Sequence, residues 1–478
     1  MNRNLAFLLV IVLLGTALRF YDIGAESLWT DEMLSVDHAR QPSVGEVIEH
    51  VRAKEAAPPL HYVFLHYWVM AFGDSDVSVR VPSVIFSIAS IILLYVIVKL
   101  FFSERTALIA AFLFTISMQQ VLYAQEARLY SMFMFIALLA TYGFIRAFVM
   151  SSPSHHVMYF IALTMVLYTN YLTIVLVVFY GLVLFWKNKE KKKWSLYTSL
   201  ALLLSVPLVP FAFQQFVRAN SGLEEVLLGF GMPQFIASLG LFVFALPSIA
   251  ACALLILVIA LKKQIKNVRL PSRFFVALVA FLCAVYAYLS VYPLSLFMIP
   301  LIRVPITNSY FLIRHSLFLA PLLYGYIAWK TDTLRKNYVI LVLVMIVVTQ
   351  MFALGVYYTT ATKPDWKGAM ASIGDGALVL LDRGGGSNHM LLQRYKTDAN
   401  VVSLTQYSSR SDFYQIPDAT VIEIVEHAPE FWLLLSKAQG TGNYYQKMLD
   451  VPFERKETEE FYGVKVFEYD NLKYPITS

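Results

Sequence analysis

Asp31 and Glu32 stand side by side in SLWTDEMLS (Ser27–Ser35), just behind an apolar segment. A carboxylate so placed can take a proton from a nucleophile. An acidic pair at a helix start is equally a favourable partner for the helix dipole. Cations sit on other segments. Glu126 and Arg128 lie in YAQEARLYS (Tyr123–Ser131), and Arg314 lies in NSYFLIRHSLFLAP (Asn308–Pro321). The arginine fork donates two hydrogen bonds to phosphate oxygens, so both arginines are candidates for holding a phosphate. The bland alternatives are a Glu126–Arg128 pair that caps the next helix and a snorkelling Arg314. Arg80 reads as an interface anchor, and Arg303 is a weaker cation candidate. His61, in PPLHY, is a candidate for lining a site. His61 and His66 are five residues apart, so they do not share a helix face, which disfavours a zinc site. No Walker, H-E-x-x-H or G-x-S-x-G motif occurs.

Long apolar segments must carry these residues. The chain has 478 residues, 58% hydrophobic and only 15% charged, with a mean hydropathy of +0.61. Soluble domains carry about 25% charged residues, so the composition is that of an integral membrane protein. Cys252 and Cys283 both lie in apolar runs, which suggests neither a disulfide framework nor a structural metal. A span needs about 20 apolar residues. Candidate spans are Leu5–Phe20, Val81–Phe102, Ala107–Leu122, Tyr130–Val149, Val157–Thr169, Leu172–Trp186, Ser195–Phe213, Phe235–Leu261, Phe274–Tyr292, Phe311–Trp329 and Tyr338–Tyr358, about eleven in all. No small-residue cleavage site follows TALRFYD, which favours a first span over a removed signal. Pro59–Phe72 is apolar but too short to cross, so it reads as an interfacial helix.

The strongest basic clusters are KNKEKKK (Lys187–Lys193), KKQIKNVR (Lys262–Arg269) and KTDTLRK (Lys330–Lys336). They share one side only if Pro59–Phe72 does not cross, and the positive-inside rule then makes that side cytoplasmic. The net charge of +6 belongs to these loops, not to nucleic-acid binding. The loop 21–79, the turn after Leu122 and the tail then face outward. That first loop holds ten acidic residues against three basic ones, so any cation for a phosphate must come from elsewhere. The tail, 359–478, alternates apolar runs (ALVLLD, VIEIV, FWLLLS, GVKVFEY) with helix-like pieces (SNHMLLQRY, GNYYQKML). It reads as a small α/β domain outside the membrane, following a membrane domain over 1–358. Gly384–Gly386 reads as a turn, not a phosphate loop.

A carboxylate on one outer loop and arginines on two other outer segments suit transfer of a group from a membrane-lipid phosphate to an acceptor outside. The carboxylate would take the acceptor's proton, and the arginines would stabilise the departing phosphate. A polyprenyl phosphate is already a competent leaving group, so no metal or other cofactor is required. A transporter or flippase for lipid-linked sugars would instead show charges at mid-membrane and related halves. A receptor that senses such lipids would have no use for Asp31.

SLWTDEMLS, then APPLHYVFLHYWVMAFGDSDVSVRVPSVIF, then QEARLYSMFMF resemble, in order and spacing, the family 39-like membrane glycosyltransferases of the GT-C superfamily. Protein O-mannosyltransferases and the lipid A aminoarabinose transferase are relatives. ITNSYFLIRHSLFLAPLL and KPDWKGAMASI resemble later segments of that family. The resemblance implies a mainly α, polytopic GT-C fold and an inverting transfer of a hexosyl or pentosyl group. The donor would be a polyprenyl-phosphate sugar, and the acceptor a glycan, lipid or protein. It places Asp31 as general base, with Glu32 orienting it, a sugar hydroxyl or only the helix start. Glu126 and Arg128 fall at the donor site with Tyr130 of the same motif, and the family's later arginine maps to Arg314. The span count is below that of the best-known relatives.

Overall fold

The computed structural model describes residues 3–171, 173–185, 190–220, 321, 324–325, 327–329, 336–382, 392–407, 413–415, 417–436 and 444–471. The spans expected at Phe235–Leu261 and Phe274–Tyr292, most of Phe311–Trp329, Arg303, Arg314, both cysteines, Lys262–Arg269 and Gly384–Gly386 lie outside the described residues.

Two compact units emerge. One comprises Met1–Tyr21, His38–Gly73 and Ser78–Tyr358; the other comprises Asp22–Asp37, Asp74–Val77 and Thr359–Ser478.

The first unit is helical. Its elements are α1 (Arg3–Phe20), the end of α2 (Thr30–Ala39), α3 (Val44–Lys54), α4 (Leu60–Phe72), α5 (Asp76–Lys99), α6 (Glu104–Ile116), α7 (Met118–Ala124) and α8 (Tyr130–Phe144). It continues with α9 (His156–Leu167), α10 (Thr173–Phe185), α11 (Lys191–Leu204), α12 (Leu208–Asn220) and α13 (Lys336–Thr359). Among the described residues three helices are long and apolar enough to cross a membrane, or up to five if each bent pair is one span. The chain is a multi-pass membrane protein.

Two expected spans are broken. Ala107–Leu122 divides into α6 and α7, bent by 59°, and Ser195–Phe213 divides between α11 and α12, bent by 60°. A break in an apolar environment needs partners for the freed backbone groups. At the first break, Gln350 Oε1 accepts the Met118 amide at 2.9 Å, and Tyr324 donates to Ser117 Oγ at 2.7 Å. At the second, Pro207 sits immediately before α12, where it can supply no amide to a continuing helix. Pro59–Phe72 forms the single short helix α4, at 13 residues too short for a span.

Arg19 is fully buried near the end of α1, donating to Ser87 Oγ at 2.8 Å and to the Gly15 and Thr115 carbonyls. One guanidinium thus ties α1 to α5 and α6. Arg80, expected as an interface anchor, is also buried. The helices α8 and α9 approach so closely that a Cβ on Gly143 would lie 2.9 Å from the Tyr159 Cα and 3.0 Å from its amide nitrogen. Backbone cannot yield as a side-chain tip can. Gly143→Ala is therefore expected to cost about 1–3 kcal/mol, read as a lower thermal midpoint in detergent. An unchanged midpoint would contradict the close packing.

The second unit carries a five-stranded sheet in the order β2-β1-β5-β7-β6. β1 (Leu378–Leu381), β2 (Asn400–Ser403) and β5 (Glu430–Ser436) run parallel; β7 (Val464–Asp470) pairs antiparallel with β5, and β6 (Glu454–Phe461) pairs antiparallel with β7 at the edge. Gly463, at φ +73°, makes the turn of the β6–β7 hairpin. A separate two-stranded ribbon joins β3 (Thr405–Tyr407) to β4 (Phe413–Gln415). The helices are α14 (Trp366–Ala371), α15 (Asp418–Glu426) and α16 (Tyr444–Leu449). ALVLLD, FWLLLS and GVKVFEY supply β1, β5 and β7. VIEIV does not form a strand: it lies in α15, where Val421 and Val425, four residues apart, are the buried face.

Candidate functional site

The sequence-derived residues divide between the units. Asp31 and Glu32 belong to the second; His61, Glu126, Arg128 and Tyr130 belong to the first.

Asp31 and Glu32 occupy the first turn of α2. Adjacent helical residues diverge by roughly 100° and do not face one another. Their environments differ accordingly: Asp31 is half-buried, whereas Glu32 has no exposed surface. Lys363 Nζ lies 2.9 Å from Glu32 Oε2, and that lysine is itself buried. The Trp29 amide also approaches the Glu32 carboxylate, at 3.4 Å. The Asp31 carbonyl accepts the Ser35 hydroxyl one turn on.

In the first unit, α7 ends at Ala124 and the chain turns through QEAR before α8 begins at Tyr130. Gln125 fixes the turn: its amide donates to the Arg19 and Tyr21 carbonyls, and its carbonyl accepts the Tyr357 hydroxyl at 2.7 Å. Ser83 donates to the Arg128 carbonyl. Glu126, Arg128 and Tyr130 are all buried, with Tyr130 edge-on to Tyr123.

The carboxylate 2.7 Å from Arg128 Nη1 is that of Glu55, and both side chains are only 8% exposed. Burial alone would raise the Glu55 pKa, but the adjacent guanidinium overrides it and holds the carboxyl below its usual range. His38 approaches the same carboxylate at 3.8 Å, and its Nδ1 lies at hydrogen-bonding distance, 2.9 Å, from His50 Nδ1. Burial depresses His38 to about 3, with Arg128 and His50 adding to the effect and Glu55 opposing it. His61 is depressed to about 3 by burial first and by Arg128 next. Both imidazoles are therefore neutral at pH 7. His66 donates from Nδ1 to the Ala39 carbonyl at 2.8 Å, which ties α4 to the end of α2.

Sequence reasoning missed Glu55, His38 and Lys363. Glu55 is 73 residues from Arg128, and Lys363 is 331 from Glu32, so local spacing could not signal either pair.

The neutral histidines have a consequence in acid. The unfolded chain takes up protons near pH 6.5, whereas native His38 and His61 refuse them until about 3. The stability they confer is complete above about pH 6.5 and is lost as pH falls toward 3, at up to about 1.4 kcal/mol per pH unit for each ring. The thermal midpoint in detergent should therefore fall between pH 7 and pH 5, less steeply in His38→Gln. An identical slope in that variant would contradict the assignment.

Residues 56–212 match the family of dolichyl-phosphate-mannose-protein mannosyltransferases. His61, Glu126, Arg128 and Tyr130 fall inside the matched segment; Asp31, Glu32 and Arg314 fall outside it. Archaeoglobus fulgidus oligosaccharyltransferase in the apo form aligns with 99% of this chain and 75% of its own, with a TM-score of 0.52 at 13% identity. The oligosaccharyltransferase AglB of the same organism, in complex with an inhibitory peptide and a dolichol-phosphate, aligns with 100% of this chain and 75% of its own, with a TM-score of 0.50 at 11% identity. ArnT from Cupriavidus metallidurans bound to undecaprenyl phosphate aligns over 97% of this chain and 98% of its own, with a TM-score of 0.48 at 12% identity. No curated protein sequence matches. The resemblance to GT-C membrane glycosyltransferases is borne out by the family match, and the fold is shared with the archaeal oligosaccharyltransferase.

Proposed function

We propose that the protein is an inverting glycosyltransferase that moves a hexosyl or pentosyl group from a polyprenyl-phosphate donor to an acceptor on the extracytoplasmic side of the membrane. The observation that carries this reading is the mannosyltransferase-family match over residues 56–212, the segment that holds His61, Glu126, Arg128 and Tyr130. The fold shared with AglB, whose structure contains dolichol-phosphate, supports a lipid-phosphate donor.

In this reading the membrane domain covers 1–358, with about eleven spans, and the domain 359–478 lies outside the cytoplasm. Arg128 binds the lipid phosphate, assisted by Arg314, while His61, Glu126 and Tyr130 line the donor site. Asp31 takes a proton from the acceptor hydroxyl or amine. The acceptor atom forms its bond to the anomeric carbon as the bond from that carbon to the phosphate oxygen breaks. Polyprenyl phosphate leaves with the electron pair, and the anomeric centre inverts. Glu32 orients Asp31. The acceptor is a glycan, lipid or protein, and neither a cofactor nor a nucleic acid takes part. The ion pair with Glu55 makes Arg128 a positioned donor instead of a lone charge, so geometry contributes more to phosphate selection than net attraction does.

The test is to incubate the purified protein with polyprenyl-phosphate sugars labelled in the lipid. Free polyprenyl phosphate should accumulate. Passage of intact donor across a proteoliposome membrane without its release would instead establish a transporter, and binding without either would establish a receptor.

A further inference from the structure

The tail begins with KPDWKG, and this stretch is laced to the acidic segment of the same unit. Glu26 accepts hydrogen bonds from the Thr362 amide, the Thr362 hydroxyl at 2.7 Å and the Lys363 amide at 3.3 Å. Ser27 Oγ accepts the Lys367 amide at 3.0 Å, and Lys367 Nζ bonds the Gly24 carbonyl at 2.9 Å and Asp76 at 2.8 Å. Further along the tail, Arg394 bonds the other oxygen of Asp76, Tyr395 donates to the oxygen that Lys367 contacts, and Tyr395 also accepts the Leu28 amide. At the centre of this lacing lies the buried Lys363–Glu32 pair.

Asp365 caps α14 through the Gly368 amide, and Trp366 is buried beside it. These contacts fix the backbone from which Lys363 projects. Lys363 therefore reaches Glu32 from a rigid base. A buried pair in this geometry gains little stability over an apolar pair, but loss of one partner strands the other charge.

We infer that Lys363 is a positioning residue for the acidic pair: it neutralises Glu32 in the interior and anchors the first turn of α2, which carries Asp31, to the tail. The inference rests on the transferase reading above and gives the tail a part in that reaction. Lys363 touches no reacting atom in this account; it acts through the orientation of α2. A misplacement of the order of 1 Å at a reacting group lowers turnover about 100-fold.

The experiment compares donor turnover in the full-length wild type, Lys363→Met, Lys363→Arg and the double variant Lys363→Met/Glu32→Gln. Lys363→Met is expected to lower kcat on the order of 100-fold with little change in donor KM. Lys363→Arg should retain most activity, because the charge persists. The double variant should turn over faster than Lys363→Met, because no stranded charge remains; it also serves if Lys363→Met fails to fold. Wild-type turnover in Lys363→Met would overturn the inference alone. So would equal losses in Lys363→Met and Lys363→Arg with no gain in the double variant, which would mark a general folding role. Absence of polyprenyl phosphate release by the wild type would overturn the transferase reading itself, and this inference with it.

Discussion

Asp31→Asn is expected to lower polyprenyl phosphate release by about 10²–10⁴-fold, the range by which a positioned general base contributes to such reactions. The substitution keeps the size of the side chain and removes its ability to carry the proton away. Helix α2 should survive it. The neighbouring Glu32 is held by Lys363, and the Ser35 hydroxyl donates to the Asp31 carbonyl, two contacts that the substitution keeps. Thermal stability and donor affinity should accordingly stay near wild type while kcat falls. A folded Asp31→Asn protein that turns over at the wild-type rate would remove Asp31 from the mechanism.

Arg128→Ala should have two separable effects. The first is on folding. Glu55 would be left as a buried carboxylate without its guanidinium, and breaking a buried pair from one side costs about 3–5 kcal/mol. The second is on the donor, which loses its guanidinium contact and should bind more weakly. Adding Glu55→Gln separates them. The double variant has no stranded charge, so its thermal midpoint should recover toward that of the wild type, while donor affinity stays low. Recovery of both together would show that Arg128 serves only to neutralise Glu55.

Much of the helical scaffold was legible because apolar runs of span length have few other uses. α1, α5 and α8 fall where hydropathy places spans. The two bends were not legible. Apolar content reports burial in lipid, whereas the bend at Ser117 depends on Gln350 and Tyr324, more than 200 residues away. The charged strand β6 (ERKETEEF) has no apolar alternation; it is an edge strand, recruited by its hairpin with β7. VIEIV misled because a short apolar run fits either period, and only the 421/425 face decides for a helix. At the candidate site, the ordered motifs marked Asp31, Glu32, Glu126 and Arg128 as residues worth locating. Their partners Glu55, His38 and Lys363 were hidden, since a lone acid in a loop of ten, or a lysine opening a tail, carries no local sign of where folding will bring it.

The central claim is that a donor phosphate is received by Arg128 while Asp31 serves the acceptor. An experimental structure of the full chain with a polyprenyl-phosphate sugar bound tests it most directly. The account predicts phosphate oxygens within hydrogen-bonding distance of the Arg128 guanidinium, and the Asp31 carboxylate on the face of the anomeric carbon opposite the phosphate. A donor whose phosphate is held away from Arg128, or whose sugar lies beyond the reach of Asp31, would contradict it.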